Sequence, residues 1–178
     1  LVEVLKYLKN KFPAIERITS YGRSKTAARK SPEDLKALRE AGLSRLHIGM
    51  ESGCDEVLEF IRKGVTAREH IEAGQKVIKA GISLSIYIMP GLGGKKWSQK
   101  HALETARVLN EIGKPDYIRL RSLAVRRGTP LHDKVASGEF EPLSDEEMVA
   151  EIRLLVENLS CSANLVSDHI TNLLWEVE

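Results

Sequence analysis

The hydrophobic positions of this 178-residue chain follow two alternating spacings. Short apolar runs begin near residues 15, 45, 82 and 116, and after each of them apolar residues recur three and four positions apart. The first arrangement is typical of a buried strand and the second of an amphipathic helix. A strand–helix unit that repeats at roughly thirty to forty residues has the size of one βα unit. The pattern therefore predicts an α/β fold of repeated βα units with about four parallel strands, as in a barrel or a half-barrel.

Capping residues indicate where several helices begin. Ser31, Thr66 and Ser144 each stand before a helical pattern, with acidic residues in the turn that follows. A hydroxyl at the N-cap and carboxylates in the first turn both stabilise a helix start. The other predicted segments are helices over 1–11 and 99–112, a basic loop over 22–30, a glycine-rich loop over 90–96 and a tail of unclear pattern after Cys161.

Length and composition limit the class of protein. We expect a single domain over residues 1–178, with βα units in 1–143 and a helical segment in 144–178. A formal charge of +2 and an aromatic content of 5% require neither a nucleic-acid nor a membrane partner. No apolar run reaches membrane-spanning length, and we expect a cytoplasmic protein. The two cysteines fit no zinc or cluster spacing and are interpreted as reduced thiols, with a single disulfide between them as the alternative. The chain begins inside a helical pattern, and we expect it to be a fragment of a longer protein.

The longer loops are expected to meet at one edge of the sheet. Short helix-to-strand joints leave every longer loop at the carboxyl ends of the strands, where barrel enzymes keep their sites. Glu51, Ser52 and Gly53 follow the central strand directly and are typical of such a site, although an ordinary βα turn with a surface glutamate has the same pattern. The glycines of residues 90–96 either allow a flat ligand to approach the backbone or form a flexible turn.

Other reactive side chains have a structural interpretation beside the chemical one. Cys54 stands near a helix N-terminus, where the pKa of a thiol tends to fall, but a small residue in a first helical turn is the simpler explanation. His47 lies within a strand and is interpreted as a packed histidine. Asp168 and His169 form a metal or substrate group or, more simply, a surface pair. No catalytic residue and no metal ligand is identified.

Four motifs, taken together and in order, resemble the radical S-adenosylmethionine (SAM) superfamily. The similarity is to the branch with oxygen-independent coproporphyrinogen oxidase, Elp3-type tRNA enzymes and methylthiotransferases. In that branch, the fourth strand of a partial (βα)6 barrel is followed by a motif similar to Gly49-Met-Glu-Ser-Gly53 and Lys63-Gly64. The resemblance covers roughly residues 15–160 and implies strands three to six of that barrel. The three other matching segments are residues 31–42, 88–94 and 127–131.

The resemblance also implies roles for individual residues. Glu51 matches the residue that binds the ribose hydroxyls of SAM, and Ser52 belongs to the same cofactor-binding motif. Lys63 matches a basic residue that holds the methionine carboxylate, although a solvated lysine at a helix end is the alternative. Met89, Pro90 and Gly91 match the segment along the adenine. Four further residues are implied to point toward cofactor or substrate: Tyr21, Arg23, Arg121 and Ser122.

One departure from the family limits what this chain is expected to do alone. The cysteine motif that holds a [4Fe–4S] cluster, and the glycine-rich motif that receives the methionine amino group, are missing from these residues. In relatives both motifs precede the third strand. We therefore expect the cluster ligands upstream, and we expect the whole protein to cleave SAM to a 5′-deoxyadenosyl radical that abstracts hydrogen from an unknown substrate. A half-barrel is also expected either to associate with another copy through its uncovered sheet edge or to have a disordered rim.

Two other functions remain open at this stage. The chain is alternatively a non-catalytic βα scaffold that binds a nucleotide or a protein partner. An ordinary TIM-barrel enzyme acting on phosphate-bearing substrates is a weaker alternative, because it would carry its glycine loop after the last strands. A cysteine triad in the upstream gene sequence would distinguish the enzyme from the scaffold.

Overall fold

Five parallel strands form one sheet in the order β1-β2-β3-β4-β5, in a computed structural model that describes residues 1–169 and Asn172. The strands are β1 (Ile18–Gly22), β2 (Leu43–Glu51), β3 (Ser83–Ile88), β4 (Tyr117–Leu120) and β5 (Asn164–Val166). The helices of this part of the chain are α1 (Val2–Lys11), α2 (Ser24–Arg29), α3 (Pro32–Glu40), α4 (Asp55–Phe60), α5 (Ala67–Lys79), α6 (Gly94–Ile112), α7 (Pro130–Ala136) and α8 (Asp145–Glu157). The predicted α/β fold is confirmed.

The three predicted capping residues begin helices as expected. Ser31 caps α3, Thr66 caps α5 and Ser144 caps α8, and each side chain accepts a hydrogen bond from the backbone N–H three residues later. The acidic residue at that third position bonds back to the N-cap N–H, so each start is a complete capping box. These local bonds fix where the helices leave the loops.

The two faces of the sheet differ in chemistry. On β2, Leu46, Ile48 and Met50 are buried against the helices, while the residues between them point the other way. The strands are neighbours in chain order. Because crossovers between parallel strands are right-handed as a rule, such an order places the connecting helices on the same side of the sheet. The second side, which we call the open face, carries polar and aromatic residues, namely Tyr21, Arg45, His47, Gly49, Ser85, Tyr87, Tyr117, Arg119 and Arg121.

Three elements differ from the prediction. The basic loop over 22–30 contains helix α2, whose small residues Ala27 and Ala28 are buried and so leave no large apolar period to detect. Helix α6 begins at Gly94 rather than Gln99, so its first turn lies inside the predicted glycine-rich loop. Gly94 adopts a φ of 54°, a conformation that favours glycine.

The third difference is a fifth strand, β5, in the segment that was predicted to be helical. It has only three residues, too few for a strand pattern to stand out in the sequence. It pairs with β4 and extends the open face by one strand. Within the described residues, no helix is long and apolar enough to cross a membrane.

Candidate functional site

The end of β2 has an unusual backbone and a paired carboxylate. Glu51 adopts a φ of 65°, which is uncommon for a residue other than glycine. Its Oε1 lies 3.0 Å from Nζ of Lys63, which follows α4. A Cβ atom on Gly49 would lie 2.3 Å from the same Oε1, so the carboxylate folds back over the strand where Gly49 leaves room. The predicted ligands Glu51 and Lys63 therefore meet at the carboxyl edge of the sheet.

Three rings from three strands lie side by side on the open face. The ring centroids of Tyr21 and His47 are 5.1 Å apart, and those of His47 and Tyr87 are 5.5 Å apart. Tyr21 and Tyr87 are nearly parallel at 6.4 Å. Burial lowers the pKa of His47, and Arg119 and Arg45 lower it further, so the imidazole is neutral at pH 7. Its Nδ1 is buried and has no hydrogen-bond partner among the described residues.

Arginines line the other half of the open face. Arg119 and Arg121 both donate to the carboxylate of Asp168, which follows β5. Arg119 also donates to the buried hydroxyl of Ser85, and the Arg121 guanidinium lies 4.8 Å from the ring centroid of Tyr87. Burial alone would raise the pKa of Asp168, but the hydrogen bond from Arg121 and the charge of Arg119 outweigh it and lower the pKa. Two guanidinium groups are thus held by one ionised carboxylate.

A buried polar network supports this edge from the helix side. The Nε2 of His101 lies 3.2 Å from the carbonyl oxygen of Met89, and its Nδ1 lies 2.8 Å from the Ser52 hydroxyl. Because a carbonyl only accepts, Nε2 carries the proton and Nδ1 accepts from Ser52. Burial lowers the pKa of His101 to about 4, which agrees with this neutral form. Glu151 of α8 accepts from the Gly91 N–H at 2.7 Å, and burial raises the pKa of that carboxyl group.

The predicted site residues divide into two groups. Tyr21 and Arg121 lie on the open face, near the edge that holds Glu51 and Lys63, whereas Ser52 is fully buried and bonded within the network behind it. Arg23 is exposed at the N-cap of α2, and the Ser122 N–H donates to Asn172. Met89 is partly buried, and its N–H donates to the Glu51 carbonyl. Pro90 and Gly91 are buried beside α8.

Several residues of the site were not predicted as ligands. His47, Tyr87 and Arg119 lie on three strands, each between residues that are buried against the helices. This alternation with a period of two is the sequence signal that could have placed them on the open face. Asp168 was interpreted as part of a metal or substrate group or, more simply, of a surface pair. No sequence signal placed it beside β4, because β5 itself was not predicted.

The two cysteines lie apart from this chemistry. Cys54 is buried at the start of α4, and its thiol donates to Glu56 at 3.2 Å. Burial raises the pKa of Cys54, so the expected lowering by a helix N-terminus does not occur. Cys161 is also a free thiol with its pKa raised by burial. Across residues 1–169 and Asn172, no group of three or more His, Cys, Asp or Glu side chains could hold a metal ion.

Comparisons with known proteins agree with the motifs and the fold. The model of the radical SAM superfamily matches residues 2–116. The tRNA uridine(34) acetyltransferase of Methanocaldococcus jannaschii is 26% identical over 117 residues, which is 66% of this chain and 22% of that protein. A Methanocaldococcus infernus relative of the same name is 25% identical over 122 residues. The chain therefore spans less than a quarter of the length of these relatives.

Solved structures share the fold at low sequence identity. The N-terminally truncated Elp3 of M. infernus superposes with a TM-score of 0.68 at 21% identity, covering 84% of this chain and 34% of Elp3. Methylornithine synthase (PylB) superposes with a TM-score of 0.61 at 19% identity, covering 93% of this chain and 50% of that one. Since the family model covers well over half of the residues, the chain belongs to the radical SAM superfamily.

Proposed function

We propose that this chain is the SAM-binding part of a radical SAM enzyme that generates a 5′-deoxyadenosyl radical for hydrogen abstraction from a substrate. The observation that carries the proposal is the Glu51 carboxylate, which is folded over Gly49 and paired with Lys63 at the carboxyl edge of the sheet. An acceptor and a cation at this edge suit the ribose hydroxyls and the methionine carboxylate of SAM.

The Glu51–Lys63 ion pair is compatible with both contacts at once. Lys63 uses only Oε1 of the carboxylate, which leaves Oε2 to accept from a ribose hydroxyl. An ammonium group has three donors, so Lys63 can hold a second carboxylate without releasing Glu51. The ion pair then orients the two groups before the ligand arrives, which reduces the entropy that binding has to overcome.

The segment from Met89 to Gly91 is expected to contact the adenine mainly through apolar surface. The N–H of Met89 donates to the Glu51 carbonyl, the N–H of Gly91 donates to Glu151, and Pro90 has no N–H. No backbone donor of this segment is left for a base. The three carbonyl oxygens of the segment already accept hydrogen bonds from other backbone N–H groups. The Met89 side chain is partly buried, and its polarizable thioether suits contact with a flat ring.

The iron–sulfur cluster that the family implies does not fit the residues of this chain. The described residues offer Cys54 and Cys161, of which the first is buried and bonded to Glu56, and they form no group of metal ligands. A [4Fe–4S] cluster bound by the whole protein would supply the electron for the reductive cleavage of SAM. We expect its ligands in a cysteine motif ahead of this region, and the residues described above bind and orient SAM.

The test uses the protein expressed from its complete gene and reconstituted without oxygen. After addition of SAM and a reductant, we expect 5′-deoxyadenosine to be detected by mass spectrometry. Glu51→Ala should reduce its formation at least about tenfold, because about 1.4 kcal/mol of lost binding already has that effect. Glu59→Ala, which removes an exposed glutamate of α4, is the matched control and should behave as the wild type.

The same preparation distinguishes the enzyme from a scaffold. If the complete protein takes up no cluster and does not bind SAM, the enzymatic proposal is wrong and a non-catalytic nucleotide- or protein-binding module replaces it. If SAM is cleaved equally by the Glu51→Ala variant and the wild type, the role assigned to Glu51 is wrong.

A further inference from the structure

We infer that the substrate bound on the open face carries a compact planar ring with an anionic oxygen group, a carboxylate or a phosphate. This inference rests on the proposed function, since a radical formed at the carboxyl edge of the sheet needs its substrate nearby, and the open face adjoins that edge. The juxtaposition that carries it is the row of rings from Tyr21, His47 and Tyr87 beside the guanidinium pair of Arg119 and Arg121.

The rings supply a stacking surface that is already formed. Tyr21 and Tyr87 are stacked with an interplanar angle of 16°, and His47 lies within 5.5 Å of both ring centroids. Tyr21 is 77% exposed although it lies on a strand of the sheet. Aromatic faces that are held in place by neighbouring strands favour a flat ring, because neither partner has much conformational freedom to lose.

The charges of the open face favour an anion. Arg45, Arg119 and Arg121 contribute three positive charges, and Asp168 contributes one negative charge, which leaves an excess of two. His47 adds no charge, because burial and the nearby arginines keep the ring neutral. One carboxylate cannot neutralise two guanidinium groups, and Arg recognises carboxylates and phosphates through its planar fork.

The arginines are also held in fixed orientations. Arg119 donates from Nε to Ser85 at 3.1 Å, and Arg121 donates to the Leu120 carbonyl at 2.8 Å. The guanidinium of Arg121 packs on Tyr87, so the cation and the stacking surface form one unit. A ring that stacks on the exposed Tyr21 would direct its anionic substituent toward Arg121 beside Tyr87.

Fluorine NMR of small ligands tests this inference on the protein expressed from its complete gene. Four probes separate ring from charge: 4-fluorobenzoate, 4-fluorophenyl phosphate, 4-fluorobenzamide and trans-4-fluorocyclohexanecarboxylate. We expect at least one aromatic anion to bind about tenfold more tightly than the neutral amide and than the non-aromatic acid. Whether the carboxylate or the phosphate binds more tightly identifies the anionic group.

Variants locate the binding. Arg121→Gln and Tyr87→Leu should each weaken the better probe about tenfold, because each removes half of the cation–ring unit. Arg153→Gln removes an exposed arginine of α8 on the helix side and should leave the affinity unchanged. Binding of S-adenosylhomocysteine to the same variants shows that they remain folded.

Equal affinities for all four probes, or an Arg121→Gln variant that binds as well as the wild type, would overturn the inference. The outcome is separable from the proposed function, because these probes require neither a cluster nor SAM cleavage. Formation of 5′-deoxyadenosine with failure of the probe test removes only the substrate class. Probe binding without SAM cleavage leaves the open face as a binding surface and removes the enzymatic proposal.

Discussion

At the scale of single residues, the lack of a side chain on Gly49 shapes the carboxyl edge of the sheet. Gly49 leaves the space that the Glu51 carboxylate occupies, and the positive φ of Glu51 turns the side chain back over the strand. Such backbone conformations cost free energy and persist only where the surrounding contacts hold them. Here the ion pair with Lys63 and the hydrogen bond from Met89 to the Glu51 carbonyl provide those contacts.

The first prediction concerns Gly49→Ala. A Cβ atom at this position would lie 2.3 Å from Oε1 of Glu51, so the carboxylate must move away from Lys63. We expect the variant to bind S-adenosylhomocysteine about tenfold more weakly in isothermal titration calorimetry. Lys36→Ala, which shortens an exposed side chain of α3, is the control and should bind as the wild type does. Wild-type affinity in Gly49→Ala would contradict the role of the glycine.

The second prediction concerns the pH dependence of stability through His70. This residue of α5 lies 2.6 Å from the Ser24 hydroxyl, and burial, followed by the charge of Lys63, lowers its pKa from 6.5 to about 3. The unfolded chain therefore binds a proton near pH 6.5 that the folded chain does not. The free energy of unfolding is therefore not reduced by His70 above pH 6.5, and it decreases progressively as the pH falls from 6.5 toward 3.

The loss amounts to about 2 kcal/mol at pH 5, from about 1.4 kcal/mol for each pH unit. Denaturant unfolding at pH 7 and pH 5 should show a smaller decrease for His70→Gln than for the wild type. His132→Gln, at a partly exposed position of α7, is the matched control and should follow the wild type. An identical decrease in His70→Gln and the wild type would show that His70 does not carry this dependence.

At the scale of elements, helix α8 fixes a loop that belongs to a distant strand. Glu151 of α8 accepts from the Gly91 N–H after β3 and from the Ser98 hydroxyl of α6. A Cβ atom on Gly91 would lie 2.8 Å from Met148 Cε, so α8 also packs directly on this loop. The segment from Met89 to Gly91 is therefore held in place by a helix more than fifty residues away in the chain.

The third prediction follows from these contacts. Glu151→Ala leaves a buried N–H without its acceptor, which typically costs about 1–3 kcal/mol of unfolding free energy. Glu151→Gln keeps an acceptor oxygen and should lose less. Chemical denaturation measures the loss, and hydrogen exchange should become faster at the Gly91 amide. Glu157→Ala, at an exposed position of the same helix, is the control, and equal stability of Glu151→Ala and Glu157→Ala would contradict the prediction.

At the scale of the whole molecule, the sheet has an edge at β1. This strand pairs with β2 on one side, and within residues 1–169 and Asn172 no strand pairs with its other side. Unpaired strand edges template association with other chains. Self-association through this edge stays a prediction of the sequence.

The fourth prediction tests that edge with the 178-residue chain expressed alone. Light scattering after size exclusion should show a molar mass that rises with concentration. Thr19→Lys places a charge at an exposed position of β1 and should weaken association about tenfold. Lys36→Ala on α3 changes an exposed residue away from the edge and serves as control. A constant monomer mass at all concentrations would rule out association through β1.

Much of the architecture could be predicted from local sequence signals. The capping residues Ser31, Thr66 and Ser144, and the apolar runs of four strands, act over a few residues and are legible without a structure. The signals failed where they were short or small, at the three-residue β5 and at the alanine-rich α2. Both elements are stabilised by contacts with other elements, β5 by pairing with β4 and α2 by burial of Ala27 and Ala28, and neither has a hydrophobic period of its own to detect.

The sequence by itself determined the α/β class, the carboxyl-edge position of Glu51 and the motifs of the superfamily. Only the tertiary structure decided which side chains meet. Tyr21 lies opposite His47, but Tyr87 lies opposite Gly49, because the register of each strand pair is set separately. The ring row and the Arg119–Asp168 pair join residues that are far apart in the chain. Parallel strands take their register from the packing of the whole sheet against its helices, and no local pattern encodes that.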